Sequence, residues 1–416
     1  LHPVPDSQQA GLSVAVYDAS YRLQGYVRDY ESCAVTFQHL DTGTGTLVLS
    51  ESHPLTPLFV QAGNEVVPVV VTAPSGRRWS GRVEQASVDF GNGSSPAPPG
   101  RGTVTVTLVD EWPWLKRMLA SPFGSSTALS YGTGAPEFDI RTGPIDTVVK
   151  GYISDASARI WGKDSGGRLL GPVVVVPPLT TDTTATVTLQ AKWTPLSDLV
   201  SDLLRANNRT LVAYLWLPGD PQPPGLALTA ATVVVDIAAV RNNQQLVWDD
   251  STFLSRKIAV KSPTSFEAII GGSGSGTSQT FATYTDSDLK GSLGSYGFPE
   301  SYFSSASTSS AASIQQDGAS QLRATEGGLA VQATVQDGVP WTFGTDYQVG
   351  DLAGVRALGL DIRQRVVSVQ LIDDRANGFR VVPTIGDDQA TLTIQQRLFR
   401  TVRSLGMRVQ HIQTGA

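Results

Sequence analysis

The sequence predicts a mainly β protein with an α+β middle domain set between two small antiparallel β-barrel domains. Three observations carry this. Short alternating runs punctuated by glycine and proline fill residues 12–110. Two apolar stripes at helical spacing and an unbroken apolar run, Leu211 to Leu217, occupy the middle. The stretch from Tyr347 to Gly386 reads as a bend followed by an antiparallel hairpin.

Taken in order, Ser13 to Tyr17, Ala34 to Leu40, Thr46 to Leu49, Val66 to Thr72, Gly81 to Phe90 and Thr103 to Val109 favour extended structure. Val104, Val106 and Leu108 share one face of the last run while threonines take the other, the pattern of a sheet covering a core. Turns fall at Gly43 to Gly45, at Pro74 to Gly76 and in the Gly91 to Gly102 loop. After Trp112, Pro113 and Trp114, a glycine- and serine-rich passage leads to Thr142, Gly143 and Pro144, which open a helix. Ile145, Val148, Val149, Tyr152 and Ile153 form its apolar stripe. Thr194 and Pro195 open a second helix, with Leu196, Leu199, Val200, Leu203 and Leu204 at the same offsets and Asp198 in its first turn. Leu211 to Leu217 is too short for an ordinary helix and reads as a buried strand.

Thr232 to Val240 and Arg256 to Val260 return to strand character, and the run Gly271 to Gly276 reads as a flexible connection. A serine-rich passage, Ser304 to Ser313, precedes an expected helix through Ile314 and Leu322, and Leu329 to Val335 alternates as a strand. Gly350 and Asp351 sit where an extended run bends. Arg365 to Ile372 and Phe379 to Pro383 are paired strands turned by Asn377 and Gly378. From Ile394, Leu398, Val402 and Leu405 recur at helical spacing beside several arginines, as in a capping helix with a solvated basic face or a segment that docks an acidic partner. The expected organisation is therefore 1–112, first β-barrel; 113–231, α+β middle; 232–262, strands joining the second barrel; 263–325, an insert packing with the middle; 326–393, second β-barrel; and 394–416, helix or tail. No repeat at solenoid or propeller period is present.

Composition narrows the chemistry. Of 416 residues, 40% are hydrophobic, enough for ordinary cores, and the net charge of −6 offers no attractive field to nucleic acid. No specific nucleic-acid binding is expected. The longest apolar runs fall well short of the ~20 residues of a membrane helix, so a soluble protein with no membrane span is expected. Leu1 is neither an initiator methionine nor part of a signal pattern, which leaves trimming and processing both open. The single cysteine, Cys33, excludes an intramolecular disulfide framework and lies in an alternating segment, where a buried inert thiol is expected.

Four histidines, His2, His39, His53 and His411, show no metal-ligand spacing, and His39 and His53 flank turns, where solvent-facing or hydrogen-bonded imidazoles are expected. The run from Asp286 fails as a calcium loop because Lys290 and Gly297 stand at ligand positions. The Gly271 run lacks the lysine of a phosphate loop, and no nucleophile elbow occurs. The adjacent pairs Asp249 and Asp250, Asp373 and Asp374, and Asp387 and Asp388 read as solvated turns. Trp112, Trp114, Trp161, Trp193, Trp216 and Trp341 flank apolar segments and read as packing residues. No catalytic, cofactor-binding or metal-ligating residue is assigned, and no cofactor is expected. A distant carboxylate pair, as in a glycoside hydrolase, stays open at this level, as does a carbohydrate-binding adhesin or receptor-binding module suggested by the β-rich, Ser/Thr/Gly-rich composition.

The order of several segments resembles the tail hub, or baseplate hub, proteins of tailed bacteriophages, especially minor tail proteins of siphophages infecting actinobacteria. These segments are Gly143 to Ile153 (GPIDTVVKGYI), Leu196 to Leu217, the Tyr296–Gly297 pair, Gly350 with Asp351, and Pro383 to Gly386 (PTIG). They span about residues 100 to 390, and the serine-rich passage after Tyr296–Gly297 departs from the compact link of the family. The resemblance implies a non-enzymatic homotrimer, a ring at the distal tail tip of the virion. It implies contacts with the distal tail protein ring, the tape-measure protein and a central tail fibre or receptor-binding protein. Two barrel domains per subunit would match the six-fold tail tube, and DNA would pass through the lumen. About thirty residues follow Gly386, so the hub alone, with no hydrolase domain, is expected.

Overall fold

A computed structural model describes residues 11–89, 102–127, 137–163, 165, 172–175, 183–249, 251–261, 265–271, 276–287, 290–291, 298–304, 322, 328–335, 337–357 and 360–386. The protein is mainly β. It divides into two compact units, Leu1–Ser255 with Ala333–Pro383, and Arg256–Gln332 with Thr384–Ala416.

The first unit opens with β1 (Ser13–Tyr17), β2 (Leu23–Val27), β3 (Ser32–Gln38), β4 (Thr44–Ser50), α1 (Thr56–Gln61), β5 (Pro68–Thr72), β6 (Arg78–Asp89) and β7 (Thr103–Asp110). These strands run in the order β3-β4-β7-β6-β5-β1-β2, antiparallel throughout. The alternation expected of β7 is present: Val104, Val106 and Leu108 are fully buried, and Leu49 and Leu47 of β4 lie opposite the first two. Close approach explains Gly81, where a Cβ would stand 2.2 Å from the Val109 carbonyl oxygen.

The chain continues through α2 (Pro113–Arg117), β8 (Leu119–Ala120), β9 (Asp139–Pro144), α3 (Ile145–Trp161), β10 (Val173–Val175), β11 (Thr186–Ala191), β12 (Thr194–Pro195), α4 (Leu196–Ala206), β13 (Arg209–Trp216) and β14 (Thr232–Ala239). Both expected helices form. The α3 stripe is buried, and it meets Leu196, Val200 and Leu204 of α4 and Leu211 and Leu215 of β13 in one core. Apolar burial of this kind contributes roughly 1.5–3 kcal/mol per large side chain. Thr142, Gly143 and Pro144, expected to open α3, lie in β9 instead, with Pro144 as the helix's N-cap residue. The Thr232 run, patterned as a joining strand, is held on both sides here, antiparallel to β13 and parallel to β10.

The remaining strands are β15 (Asn242–Asp249), β16 (Phe253–Lys261), β17 (Ser265–Gly271), β18 (Phe281–Thr285), β19 (Phe298–Ser304), β20 (Gly328–Val335), β21 (Leu352–Ala357), β22 (Leu360–Asp374) and β23 (Gly378–Gly386). The division between the units falls within β16, β20 and β23. In the first unit β15 runs parallel to β21, β21 antiparallel to β22, and β22 antiparallel to β3, with Val369 opposite Phe37. β23 lies beside β22, across a turn whose Gly378 has φ +66°. The late hairpin is thus hydrogen-bonded into the sheet begun at the N-terminal end, and among the described residues no closed barrel forms. In the second unit β17 pairs antiparallel with β18 and parallel with β19, and Ala268 and Ile270 pack on Leu322.

The Tyr296–Gly297 pair, most of the Ser304–Ser313 passage, the expected helix through Ile314 apart from Leu322, and the segment 394–416 lie outside the described residues.

Candidate functional site

The polar groups singled out in the sequence turn out to tie strands together. Asp351 is buried and accepts from the backbone N–H groups of Arg241 (3.0 Å) and Gln348 (2.8 Å) and from the Arg241 guanidinium at Nε (2.9 Å). Gly350 has φ +100°, and its N–H donates to the Val366 carbonyl at 2.8 Å. The expected bend is therefore a clamp that joins the start of β15 to the hairpin of β21 and β22. His39 is the hydrogen-bonded of the two alternatives expected, buried and bonded to the Arg209 backbone, and burial, with Arg365 and Arg205 nearby, lowers its pKa to about 3. His53 is also buried; its Nδ1 accepts from the Leu55 N–H (3.1 Å) and its Nε2 lies 3.1 Å from Asp29. Cys33 is fully buried, and desolvation raises its thiol to about 12.

The Asp373–Asp374 pair is only half as expected. Asp374 holds the turn, accepting from Ala376 and Asn377. Asp373 is a cross-chain tie that accepts from the Leu12 N–H (2.9 Å) and the Tyr30 hydroxyl (2.5 Å). Asp249 is exposed; its partner Asp250, with Asp387, Asp388, His2 and His411, lies outside the described residues. Among the described residues no group of three or more His, Cys, Asp or Glu could hold a metal ion, and no helix is long and apolar enough to cross a membrane.

The first unit carries a cleft of about 520 Å³ that none of these motifs announced. One wall is β3 with the turn and strand from Ser75 to Ser80; the other is β13, with the Asp220 loop and the segment around Gly344. The walls are tethered. The Leu215 N–H donates to Ser80 Oγ (2.8 Å), Arg78 pairs with Asp220 (2.5 Å), and Asp220 also accepts from the Leu217 N–H (2.8 Å). At the base, Asp110 accepts from the N–H groups of Gly43 (2.8 Å) and Trp112 (3.0 Å). Burial nonetheless pushes Asp110 up to about 7 and does the same to its neighbour Glu111, which accepts from the Trp114 indole (3.0 Å). These acids hold strand ends and indoles in place. Local sequence pattern does not announce the cleft, because its lining comes from segments far apart in the chain.

Residues 13–387 match the family of siphovirus ReqiPepy6 Gp37-like proteins. The chain belongs to this family. Its fold is similar to that of the tail protein from Neisseria meningitidis MC58, at 13% identity and a TM-score of 0.51, over 91% of this chain and 97% of that one. It is similar in the same way to the 43 kDa tail protein of prophage MuSo2 from Shewanella oneidensis, at 13% identity and a TM-score of 0.53, over 90% of this chain and 98% of that one. No curated protein matches it.

Proposed function

We propose that this Gp37-like chain is a structural tail hub: a non-enzymatic virion protein that forms a homotrimeric ring at the distal tip of a siphophage tail. The observation that carries the reading is the shared fold with two tail proteins over at least nine-tenths of every chain compared, joined to membership of a siphovirus family. In this reading the antiparallel strands of residues 1–112 and 326–393 supply two barrel-like elements per subunit, so three subunits present six similar positions to the six-fold tail tube. The middle region, 113–231, widens the ring, and 232–262 and 263–325 join and flank it. The ring contacts the distal tail protein, the tape-measure protein and a central fibre or receptor-binding protein, and DNA passes through its lumen without specific binding. The net charge of −6 suits that passage, because like charge opposes phosphate binding.

Light scattering on the purified chain should give the mass of a trimer, and antibody-labelled virions should carry label at the tail tip. A monomer at high concentration together with unlabelled tips would refute the reading.

One feature of the second unit favours carbohydrate binding as a second reading. Phe281 and Tyr302 are exposed on β18 and β19, and their registers with Gly271 and Ile269 of β17 put both on one face of that sheet. Exposed rings on a flat strand face can stack on sugars. Binding of host cell-wall polysaccharide that Phe281→Ser and Tyr302→Ser abolish would support this role; binding unchanged by either substitution would exclude this face.

A further inference from the structure

The small sheet of the second unit turns one face to its core and leaves the other open. On β17, Ala268 and Ile270 pack on Leu322, with Ala282 and Tyr284 of β18 against them. Glu267, Ile269 and Gly271 therefore point the opposite way, and so do their partners across the two ladders. Phe281 stands opposite Gly271, Thr283 and Tyr302 opposite Ile269, and Thr285 and Glu300 opposite Glu267. Phe281 is 59% exposed and Tyr302 58%, so both rings are open to a ligand.

The bare glycine shapes this face. A Cβ at Gly271 would stand 2.5 Å from the Tyr302 hydroxyl oxygen, so the end of the Tyr302 ring lies over the glycine, and Phe281 occupies the neighbouring strand on the same rung. Adjacent strands lie about 4.8 Å apart, so the two rings flank a single flat site rather than forming separate patches.

The charge on the face has one sign. Glu267 and Glu300 are partners on the parallel ladder, and like charges directly opposite each other on neighbouring strands repel. Among the described residues neither forms an ion pair; Glu267 accepts from the Thr285 hydroxyl at 3.0 Å. Aromatic rings beside two uncompensated carboxylates match a ligand that has both apolar C–H faces and positive charge. The rings stack on a pyranose and attract an ammonium group to their π faces, and the carboxylates pair with that ammonium. A neutral glycan would leave the carboxylates without a counter-charge, and an acidic one would be repelled.

We propose that this face binds a chain of amino sugars carrying free ammonium groups, with Phe281 and Tyr302 as the stacking platform and Glu267 and Glu300 as the charge partners. The proposal rests on the reading of this face as carbohydrate-binding and narrows it to cationic glycans.

The test is calorimetric titration of the full chain with a glucosamine oligomer, its N-acetylated counterpart and an oligolysine of equal length, at mildly acidic pH where the amines are charged. The glucosamine oligomer should bind saturably and roughly tenfold more tightly than either of the others, the size of one charge-assisted hydrogen bond. Phe281→Ala and Tyr302→Ala should each weaken it roughly tenfold. Glu300→Gln should lower its affinity to that of the acetylated chain. All three side chains are exposed, so the variants keep the fold. Asp202→Ala, at an exposed carboxylate on α4, should leave binding unchanged, which separates a built site from general attraction of a polycation to an acidic protein. Equal binding of the two sugar oligomers, both weakened by the ring variants, would overturn the proposal and leave the carbohydrate reading standing. No binding of either sugar, or wild-type binding by both ring variants, would overturn the two together. Tighter binding of oligolysine would assign the face to a basic peptide and overturn the proposal as well.

Discussion

Replacing Asp351 with alanine removes the acceptor on which the bend before β21 is built. The Asp351 carboxylate accepts two backbone N–H groups, from Arg241 and Gln348, and the Arg241 guanidinium. The Arg241 side chain is 43% exposed, so the ion pair is screened and contributes no more than about 1 kcal/mol. The two N–H groups matter more, because a bond to a charged acceptor contributes about 1.5–3 kcal/mol and a buried donor left without one carries its full desolvation penalty. Allowing for water at the half-open Arg241 side, the expected loss is about 3 kcal/mol. Since the clamp acts locally, the assay is hydrogen exchange across residues 350–372, where 3 kcal/mol corresponds to a fall in protection of roughly a hundredfold. Asp351→Asn, which keeps one acceptor oxygen, should lose about half as much free energy. Asp202→Ala, at an exposed carboxylate on α4, should change nothing measurable. Protection within threefold of the wild type in Asp351→Ala would refute the clamp.

Gly350→Ala should destabilise the same hairpin by about 1–3 kcal/mol, because φ is +100° and the new Cβ would lie 2.9 Å from the His39 ring; an unchanged urea midpoint would contradict this. Between about pH 5 and 6.5 stability should fall as pH rises. There the folded state retains the protons of Asp110 and Glu111, both pushed up to about 7, that the unfolded chain has released. His39, held down to about 3, opposes this, since its contribution is present above about 6.5 and is lost as pH falls. The folded state thus holds about one proton more, a slope of about 1.4 kcal/mol per pH unit. Glu111→Gln, which keeps an acceptor for the Trp114 indole, should flatten that slope in urea melts taken across the window. Cys33, fully buried with its thiol raised to about 12, should react with a thiol reagent only after unfolding, and fast labelling of the native protein would contradict its placement.

Local periodicity made many of the elements legible. A stripe at helical spacing, as in Ile145 to Ile153, and an alternation such as Val104, Val106 and Leu108 are properties of consecutive side chains, and the structure buries both as expected. The same reasoning located Gly350 and Asp351, since an apolar strand interrupted by glycine and a carboxylate must bend. It misjudged Asp373, because burial depends on what packs over a residue: Asp373 is reached by Leu12 and Tyr30 from the far end of the chain.

Sequence by itself thus determined the mainly β class of the protein, the two amphipathic helices α3 and α4, and many of its strand positions. Tertiary structure alone decided the pairing: that Thr232–Ala239 lies between β10 and β13, and that β22 lies against β3 from the opposite end of the chain. It also brought Arg77, Trp112 and Ser75 to one cleft. The physical reason is that strand edges join through backbone N–H and C=O groups, which every residue but proline carries alike. The side chains in a sequence record which face is buried, while the choice of neighbour is made by the folded whole.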